Sequence, residues 1–400
     1  MEHLPLETLQ QIFKLACTDG GYTGCSLALS SKSIREVAQS TRFYSISIEA
    51  KTERLVALVA LYQDQCSNPA TLRPRVSHLH LSFPKLVNPN TRPSDDPVEE
   101  HEDWDDVAFW YPRSPLVVAR LIAAQQLLSL VADDLQSLVI SKASAVHPLF
   151  DRAFPSLREL TLMRYTDHSK SIAPDSKILP LFPALTHLHL VTPDSSLPLL
   201  PSWIAHAPRV THLRISATSL ISQLAEELPH AVGTPPHPGF GLSPDVGTSP
   251  AVRTYPTLIS VVVQPGPLPA GSAGGTSRMI FSAGMRQLGR TASQAETAGV
   301  EMHALSPCSW TKREWDDAIY EEWIQRIGGE PGRDWFSDAD EEDCEDEEGC
   351  EDEEDCEDEE DCEDEEDCED EDNYDDVRSM LTATLEYGQM FADLFLFHSA

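Results

Sequence analysis

The sequence predicts an α/β fold in which a short helical module precedes strands that alternate with helices. Three observations predict it. Residues 1–43 have helical periodicity interrupted by glycine-containing breaks. From residue 44 onward, short segments of the form apolar-x-x-Leu-x-apolar recur, and stretches of helical periodicity lie between them. The remaining parts are an acidic low-complexity tail at 332–376, expected to be disordered, and an apolar segment at 377–400 that predicts a C-terminal helix.

Most of the negative charge is concentrated in one segment. The formal net charge is −37 over 400 residues, and 30 of the 39 residues from Asp338 to Asp376 are acidic while none is basic. The rest of the chain has 36 acidic and 29 basic residues and is only mildly acidic. Because such a body has no basic surplus to release counterions from phosphate, the composition argues against nucleic-acid binding.

The N-terminal module consists of amphipathic segments. Leu6, Leu9, Ile12 and Phe13 recur at helical spacing, and a second helical block spans 26–39. Three short helices in about 40 residues bury little surface by themselves. We therefore expect this module, residues 1–43, to pack against a partner or a neighbouring domain.

The strand segments recur with a regular period. Central residues 138, 160, 188 and 213 of four adjacent copies are separated by 22, 28 and 25 positions. Units of this size bury their apolar faces against their neighbours, which predicts one domain over 44–331. The predicted strands are 44–48, 76–81, 135–140, 157–162, 185–190 and 210–215, with weaker copies at 258–263 and 300–305. The predicted helices are 53–65, 115–133, 199–207, 219–228 and 282–298.

Two insertions interrupt this period. One lies near 88–106 and is acidic, and the other, at 229–256, holds seven Pro and four Gly in 28 residues. Both compositions favour mobile loops over regular structure.

The predicted domain ends with an amphipathic helix over 311–327. Thr311 followed by Glu314 is a capping-box signal. Trp315, Ile319 and Trp323 lie on one face of the helix. We expect this helix to cover the exposed end of the last repeat.

The N-terminal motif resembles an F-box. It consists of Leu4-Pro5-x-Glu7-x-Leu9-x-x-Ile12-Phe13 followed by residues 27–35. The chain is most similar to F-box-like proteins common in fungi, in which the motif precedes leucine-rich-repeat-like strands. The resemblance covers about residues 3–43 for the F-box and 44–330 for the repeats.

The chain departs from the family at several positions. The Cys-x-x-Trp that is usual near the end of the F-box motif is replaced by Ser31 and Ile34. The Asn or Cys of a strict repeat is replaced at Pro84, Tyr165, Pro193 and Thr218, which predicts an irregular solenoid.

The resemblance implies a non-enzymatic substrate-recognition adaptor of a Skp–cullin–F-box ubiquitin ligase. The N-terminal module would bind the Skp-type adaptor, and through it the cullin complex, while the repeat domain would bind an unknown protein substrate. Carried over by position, the adaptor contact would be formed by Leu4, Pro5, Leu9, Ile12, Phe13, Leu27 and Leu29. In the alternative, these residues only pack the module onto the first repeat.

A second candidate surface follows from alternation in the strands. Leucines 79, 188 and 213 should face the core, which places their polar neighbours on the opposite, concave side. The candidate substrate face comprises His78, His80, Glu159, His187, His189, His212 and Arg214. This strip would bind an acidic peptide, hold a metal if residues 187 and 212 lie on adjoining strands, or be a solvated face without a role. The acidic tail either stays solvated or folds over this strip, with an attraction that grows below about pH 6.5 as histidines gain charge.

The sequence predicts no catalytic residue, cofactor or metal site. It contains no Gly-x-Ser-x-Gly, P-loop or His-Glu-x-x-His motif. Five of the nine cysteines lie in the acidic tail, and the other four form no Cys-x-x-Cys pair that would indicate structural zinc. The tail thiols either have no selected chemistry or bind soft metals.

The remaining expectations concern location and the competing function. The first residues are not typical of a secretory signal, and no segment has the roughly 18 to 20 uninterrupted apolar residues that a membrane helix needs. We therefore expect no membrane association and a cytoplasmic or nuclear protein. The competing function is an interaction scaffold unconnected to ubiquitin, whose acidic tail binds basic proteins such as histones.

Overall fold

A computed structural model describes the chain over residues 4–67, 73–84, 115–142, 149–163, 180–192, 200–218, 221–234, 254–268 and 275–329. These residues belong to one compact unit. The predicted insertion near 88–106, most of the insertion at 229–256, the acidic tail and the C-terminal helix at 377–400 lie outside the described residues.

Three short helices form the N-terminal module, as the periodicity predicted. They are α1 (Leu6–Ala16), α2 (Tyr22–Ser30) and α3 (Lys32–Ala38). The Ser31 hydroxyl caps α3 by accepting a hydrogen bond from the Ile34 N–H at 3.2 Å. The Asp19 carboxylate accepts a hydrogen bond from the Thr23 N–H at 2.8 Å in the connection between α1 and α2.

Eight parallel strands form one sheet within the described residues, and their order in the sheet is their order in the chain. Each strand lies on a predicted segment, so the α/β class is confirmed. Neighbouring strands are in register at their central apolar residues, for example Leu79 with Leu138 and Leu188 with Leu213. The strands are β1 (Ser45–Glu49), β2 (His78–Ser82), β3 (Ser137–Ser141), β4 (Glu159–Met163), β5 (His187–Val191), β6 (His212–Thr218), β7 (Ser260–Pro265) and β8 (Glu301–Ala304).

Five helices pack on one face of this sheet and form the main core with it. They are α4 (Thr52–Ser67), α5 (Pro115–Val131), α6 (Leu200–His206), α7 (Ile221–Val232) and α8 (Thr276–Thr297). The central leucines of the strands are buried there together with Tyr62, Trp203 and Tyr255. The buried phenol of Tyr62 donates a hydrogen bond to the Pro74 carbonyl at 2.9 Å, so its hydroxyl is satisfied.

The N-terminal module is attached to the first edge of the sheet. The Ser47 N–H donates a hydrogen bond to the Gly20 carbonyl at 2.9 Å, and the Ser45 hydroxyl donates one to the Cys17 carbonyl at 2.7 Å. The Gly20 N–H in turn donates to the Ser45 Oγ at 3.0 Å. The turn after α1 therefore pairs with β1, and the module and the sheet belong to one compact unit.

The last described helix, α9 (Lys312–Gly328), lies where the sequence did not place it. Its capping box between Thr311 and Glu314 is present as predicted. Its apolar side packs across the sheet face opposite α4 to α8, so the prediction that it covers the end of the last repeat is wrong. The physical reason is a second apolar stripe on that face, which α9 buries with Trp315, Ile319 and Trp323. The stripe consists of Val139, Met163, Val191 and Ala217.

Candidate functional site

The side chains opposite the main core form three parallel rows across the sheet, and we call this whole surface the polar face. The third row includes Met163 and Val191 of the apolar stripe. Strand register aligns the first row as Ser45, His78, Ser137, Glu159, His187, His212, Ser260 and Glu301. It aligns the second as Ser47, His80, Val139, Thr161, His189, Arg214, Val262 and His303. All seven residues of the predicted substrate face lie in these rows, so their placement on one face is confirmed.

Helix α9 covers the middle of the polar face. The Trp323 indole N–H donates a hydrogen bond to the Ser137 Oγ at 3.0 Å, and this pair is buried. The His80 ring lies 5.2 Å from the Tyr320 ring and 5.7 Å from the Trp323 ring, centroid to centroid. His80 is 8% exposed and His189 only 1%. The expectation of an open histidine strip is therefore corrected, because these two side chains are inaccessible while α9 is in place.

The charged residues of the polar face pair with α9. The Arg214 Nη1 lies 3.4 Å from the Glu322 Oε2, and the Arg326 Nη1 lies 3.4 Å from the Glu322 Oε1. The Arg326 Nε also lies 3.8 Å from the Glu159 Oε2. Glu159, Arg326, Glu322 and Arg214 thus alternate in sign along one network. A separate ion pair joins Lys142, which directly follows β3, to Asp316 of α9.

His187 and His212 lie on adjoining strands, as the sequence left open. Their rings stack with centroids 4.4 Å apart and planes 6° from parallel. The Thr186 Oγ1 lies 2.9 Å from the His187 Nδ1, and the Thr211 Oγ1 lies 2.8 Å from the His212 Nδ1. Each threonine hydroxyl also lies within hydrogen-bond distance of a backbone carbonyl, at 3.2 Å for Thr186 and 3.1 Å for Thr211. The repeated Thr-His pair therefore builds the same local unit twice.

The histidine pair is not joined by further metal ligands in the described part of the chain. No group of three or more His, Cys, Asp or Glu side chains gathers there at metal-binding distances. Two imidazoles alone do not complete the four ligands typical of zinc.

Burial lowers the pKa of five histidines on the polar face. It lowers the pKa of His78, His80 and His187 to about 4, with smaller contributions from nearby cations and, for His187, from His212. Burial also lowers the pKa of His189 well below its usual range and lowers that of His212. The gain of charge that was expected below about pH 6.5, on which attraction of the acidic tail depended, is therefore displaced to lower pH for these five histidines.

The second candidate surface lies on the N-terminal module. Leu4 and Ile12 are each 45% exposed and Leu29 is 80% exposed, and Pro5 is exposed as well. Leu9 and Leu27 are half-buried. Phe13 is 5% exposed and packs inward, so the structure removes it from the accessible surface that the motif predicted.

The predicted adaptor contact did not include three exposed apolar residues of the same module: Leu6, Leu15 and Tyr22. A signal for one of them was present, because Leu15 follows Ile12 by three positions and such pairs are neighbours on a helix surface. Together with Leu4, Ile12 and Leu29, they give α1 and α2 large apolar side chains without cover from the sheet domain.

Comparison with known proteins does not identify the chain, since no protein-family model and no curated protein matches it. None of the helices in the described ranges is both long and apolar enough to cross a membrane.

Proposed function

We propose that this chain is a non-enzymatic substrate-recognition adaptor of a Skp–cullin–F-box ubiquitin ligase. Its N-terminal module binds the Skp-type adaptor, and its sheet domain binds a protein substrate. The observation that carries the proposal is the exposure of large apolar side chains on a module that is hydrogen-bonded to the sheet domain. The turn after α1 pairs with β1, while α1 and α2 leave large apolar side chains exposed.

The exposure favours an adaptor contact over simple packing. A module that only packed on the sheet domain would bury the motif residues Leu4, Ile12 and Leu29, and these three are 45–80% exposed. The module is instead held through Gly20, Cys17 and the β1 backbone. Exposed apolar side chains grouped on one small module are typical of a protein-interaction site.

The strand order supports a leucine-rich-repeat-like solenoid as the substrate-binding domain. In a doubly wound α/β sheet, the strand order reverses and the helices that connect the strands cover both faces. Here β1 to β8 follow the chain order, and α4 to α8 pack on one face. Sequential stacking of this kind is typical of repeat proteins, which use the surface left by their repeats to bind other proteins.

The adaptor proposal is tested by co-purification of the full chain with a purified Skp-type adaptor and cullin. Wild type should retain both, and an Ile12→Asp, Leu29→Asp double variant should lose both. Leu61→Asp is the matched control, because Leu61 is 47% exposed on α4, outside the module. Equal recovery with wild type and the double variant would contradict the proposal.

The same co-purification, with purified histones also offered to the chain, separates the competing scaffold function. The observation that favours the scaffold is the acidic segment Asp338–Asp376, with 30 acidic and no basic residues. If the acidic tail is the active part, histones should be recovered without the Skp-type adaptor. Deleting 338–376 should then abolish their recovery, whereas it should leave adaptor binding unchanged if the proposal is correct.

A further inference from the structure

We infer that the polar face is a helix-binding groove, that α9 occupies it in the free protein, and that its target is an amphipathic helix with the same chemistry as α9. The inference deepens one part of the proposed function, binding of a substrate by the sheet domain. It requires no contact with the Skp-type adaptor.

The main fold is complete without α9. Two separate apolar clusters are buried in the described residues. The larger one lies between the sheet and α4 to α8, and it contains the central leucines of the strands. The smaller one joins α9 and the segment before it to the stripe of Val139, Met163, Val191 and Ala217. Release of α9 would therefore uncover the stripe and leave the main core buried.

The free backbone groups at both ends of α9 are capped by residues at the ends of the helix itself. At the N-terminus, the Thr311 and Glu314 side chains form reciprocal hydrogen bonds with the backbone. At the C-terminus, Gly329 adopts a left-handed conformation with φ 69°, and its N–H donates to the Arg326 carbonyl. Since the sheet does not supply these end contacts, the helix can leave the groove without losing them.

The groove contacts side chains of α9 that recur once per helical turn. Trp315, Ile319 and Trp323 are spaced four residues apart and all three are buried, which is the arrangement of a helix seated in a groove. Ser137 accepts the hydrogen bond of the second indole at 3.0 Å. A leucine at position 323 would lack this donor.

Charged groups of the sheet specify the flanking residues of the bound helix. Lys142 pairs with Asp316, directly after the first tryptophan, and Arg214 pairs with Glu322, directly before the second. The substrate we infer therefore presents Trp-Asp/Glu at one turn and Asp/Glu-Trp two turns later, with an aliphatic residue between them. Lys142, next to β3, and Arg214 of β6 would together contact the two acidic positions of this pattern.

The inference is tested with a fluorescently labelled peptide of residues 309–329 and the full chain, by fluorescence anisotropy. Glu322→Arg places a third cation beside Arg214 and Arg326 and should loosen α9 from the groove. The matched control is Glu321→Arg, the same charge change at an exposed position of the same helix. Because a tethered helix competes at an effective concentration on the order of mM, we expect the Glu322→Arg chain to bind the peptide at least tenfold more tightly than wild type or the control.

Two further measurements decide the remaining outcomes. A peptide with Trp315→Ala and Trp323→Ala should not bind any chain. Equal binding of the unchanged peptide by wild type, Glu322→Arg and Glu321→Arg would overturn the inference.

In the wild-type chain, a saturating excess of peptide should speed amide hydrogen exchange in α9 without exposing the strands. Unchanged exchange would mean that α9 is a fixed part of the fold, even if the Glu322→Arg variant does not fold. Since no Skp-type adaptor is present, failure here would leave the adaptor proposal standing.

Discussion

The indole nitrogen of Trp323 lies 3.0 Å from the Ser137 hydroxyl oxygen, across 186 positions of sequence. The contact connects the middle of α9 to β3, and it is buried. An indole N–H can only donate, so Ser137 is the acceptor. This bond sets which turn of α9 lies over β3 on the polar face.

Ser137→Ala is expected to lower the free energy of unfolding by about 1–3 kcal/mol, because it leaves a buried indole N–H without its acceptor. The measurement is urea denaturation of four chains: wild type, Ser137→Ala, Trp323→Phe and the double variant. In the Trp323→Phe background no donor remains, so Ser137→Ala should cost much less there. An equal cost of Ser137→Ala in both backgrounds would show that the hydrogen bond does not contribute.

Five histidines of the polar face should make stability fall as pH falls: His78, His80, His187, His189 and His212. Their folded-state pKa values are lowered, to about 4 for His78, His80 and His187, whereas the unfolded chain binds protons near pH 6.5. Above pH 6.5 both states are neutral and stability is unaffected. Between about pH 6.5 and 4 the unfolded state binds more protons, so the free energy of unfolding decreases, by at most about 3 kcal/mol for each such histidine.

This pH dependence is measured by urea denaturation at several pH values between 7.5 and 4.5. His189→Gln should flatten the curve, because it removes a buried imidazole whose Nε2 lies 2.9 Å from the Ser216 Oγ. His303→Gln is the matched control, since the His303 side chain is 46% exposed on β8. The same slope in His189→Gln and wild type would contradict this origin of the pH dependence.

The strands could be predicted because each one carries its own signal. Leu79, Leu138, Leu188 and Leu213 occupy the same place in four copies of one short pattern, and the structure aligns them in register within the sheet. The alternation that puts leucine toward the main core also puts His80 and His189 on the other face. Local pattern and global fold agree at these positions, so the sequence was sufficient.

The place of α9 could not be predicted in the same way. Its capping box and its row of Trp315, Ile319 and Trp323 define a helix with one apolar side, but not the surface that buries this side. The receiving stripe is assembled from four strands, and its members stand at positions that are polar in other copies, as Val139 does where His80 and His189 are histidine. Only the folded sheet brings the stripe together, and burial of the histidines follows from it.

Phe13 and Leu29 should separate stability from adaptor binding. Phe13 is 5% exposed, so Phe13→Ala removes a buried aromatic side chain and should cost about 3–5 kcal/mol of stability. Leu29 is 80% exposed, so Leu29→Ala should change stability by less than about 0.5 kcal/mol. If the adaptor buries Leu29, the same variant should weaken adaptor binding roughly tenfold or more. Thermal unfolding and titration with a Skp-type adaptor measure the two effects, and full adaptor affinity of Leu29→Ala would remove this residue from the contact.

Gly20 is expected to be the most sensitive point of the junction between the module and β1. Its φ is +75°, and an added Cβ would lie 3.0 Å from the Ser47 Cβ and 3.3 Å from the Tyr320 hydroxyl of α9. Gly299 has nearly the same conformation, φ +74°, with nothing within 4 Å of an added Cβ. Both Gly→Ala variants therefore bear the cost of a left-handed alanine, about 1 kcal/mol. Gly20→Ala should lose further stability because β1 or Tyr320 must shift.

Urea denaturation of the two variants measures this difference in stability, and hydrogen exchange should show the extra loss in β1 and α1. Equal destabilisation by Gly20→Ala and Gly299→Ala would mean that the close approach at this junction does not stabilise the protein.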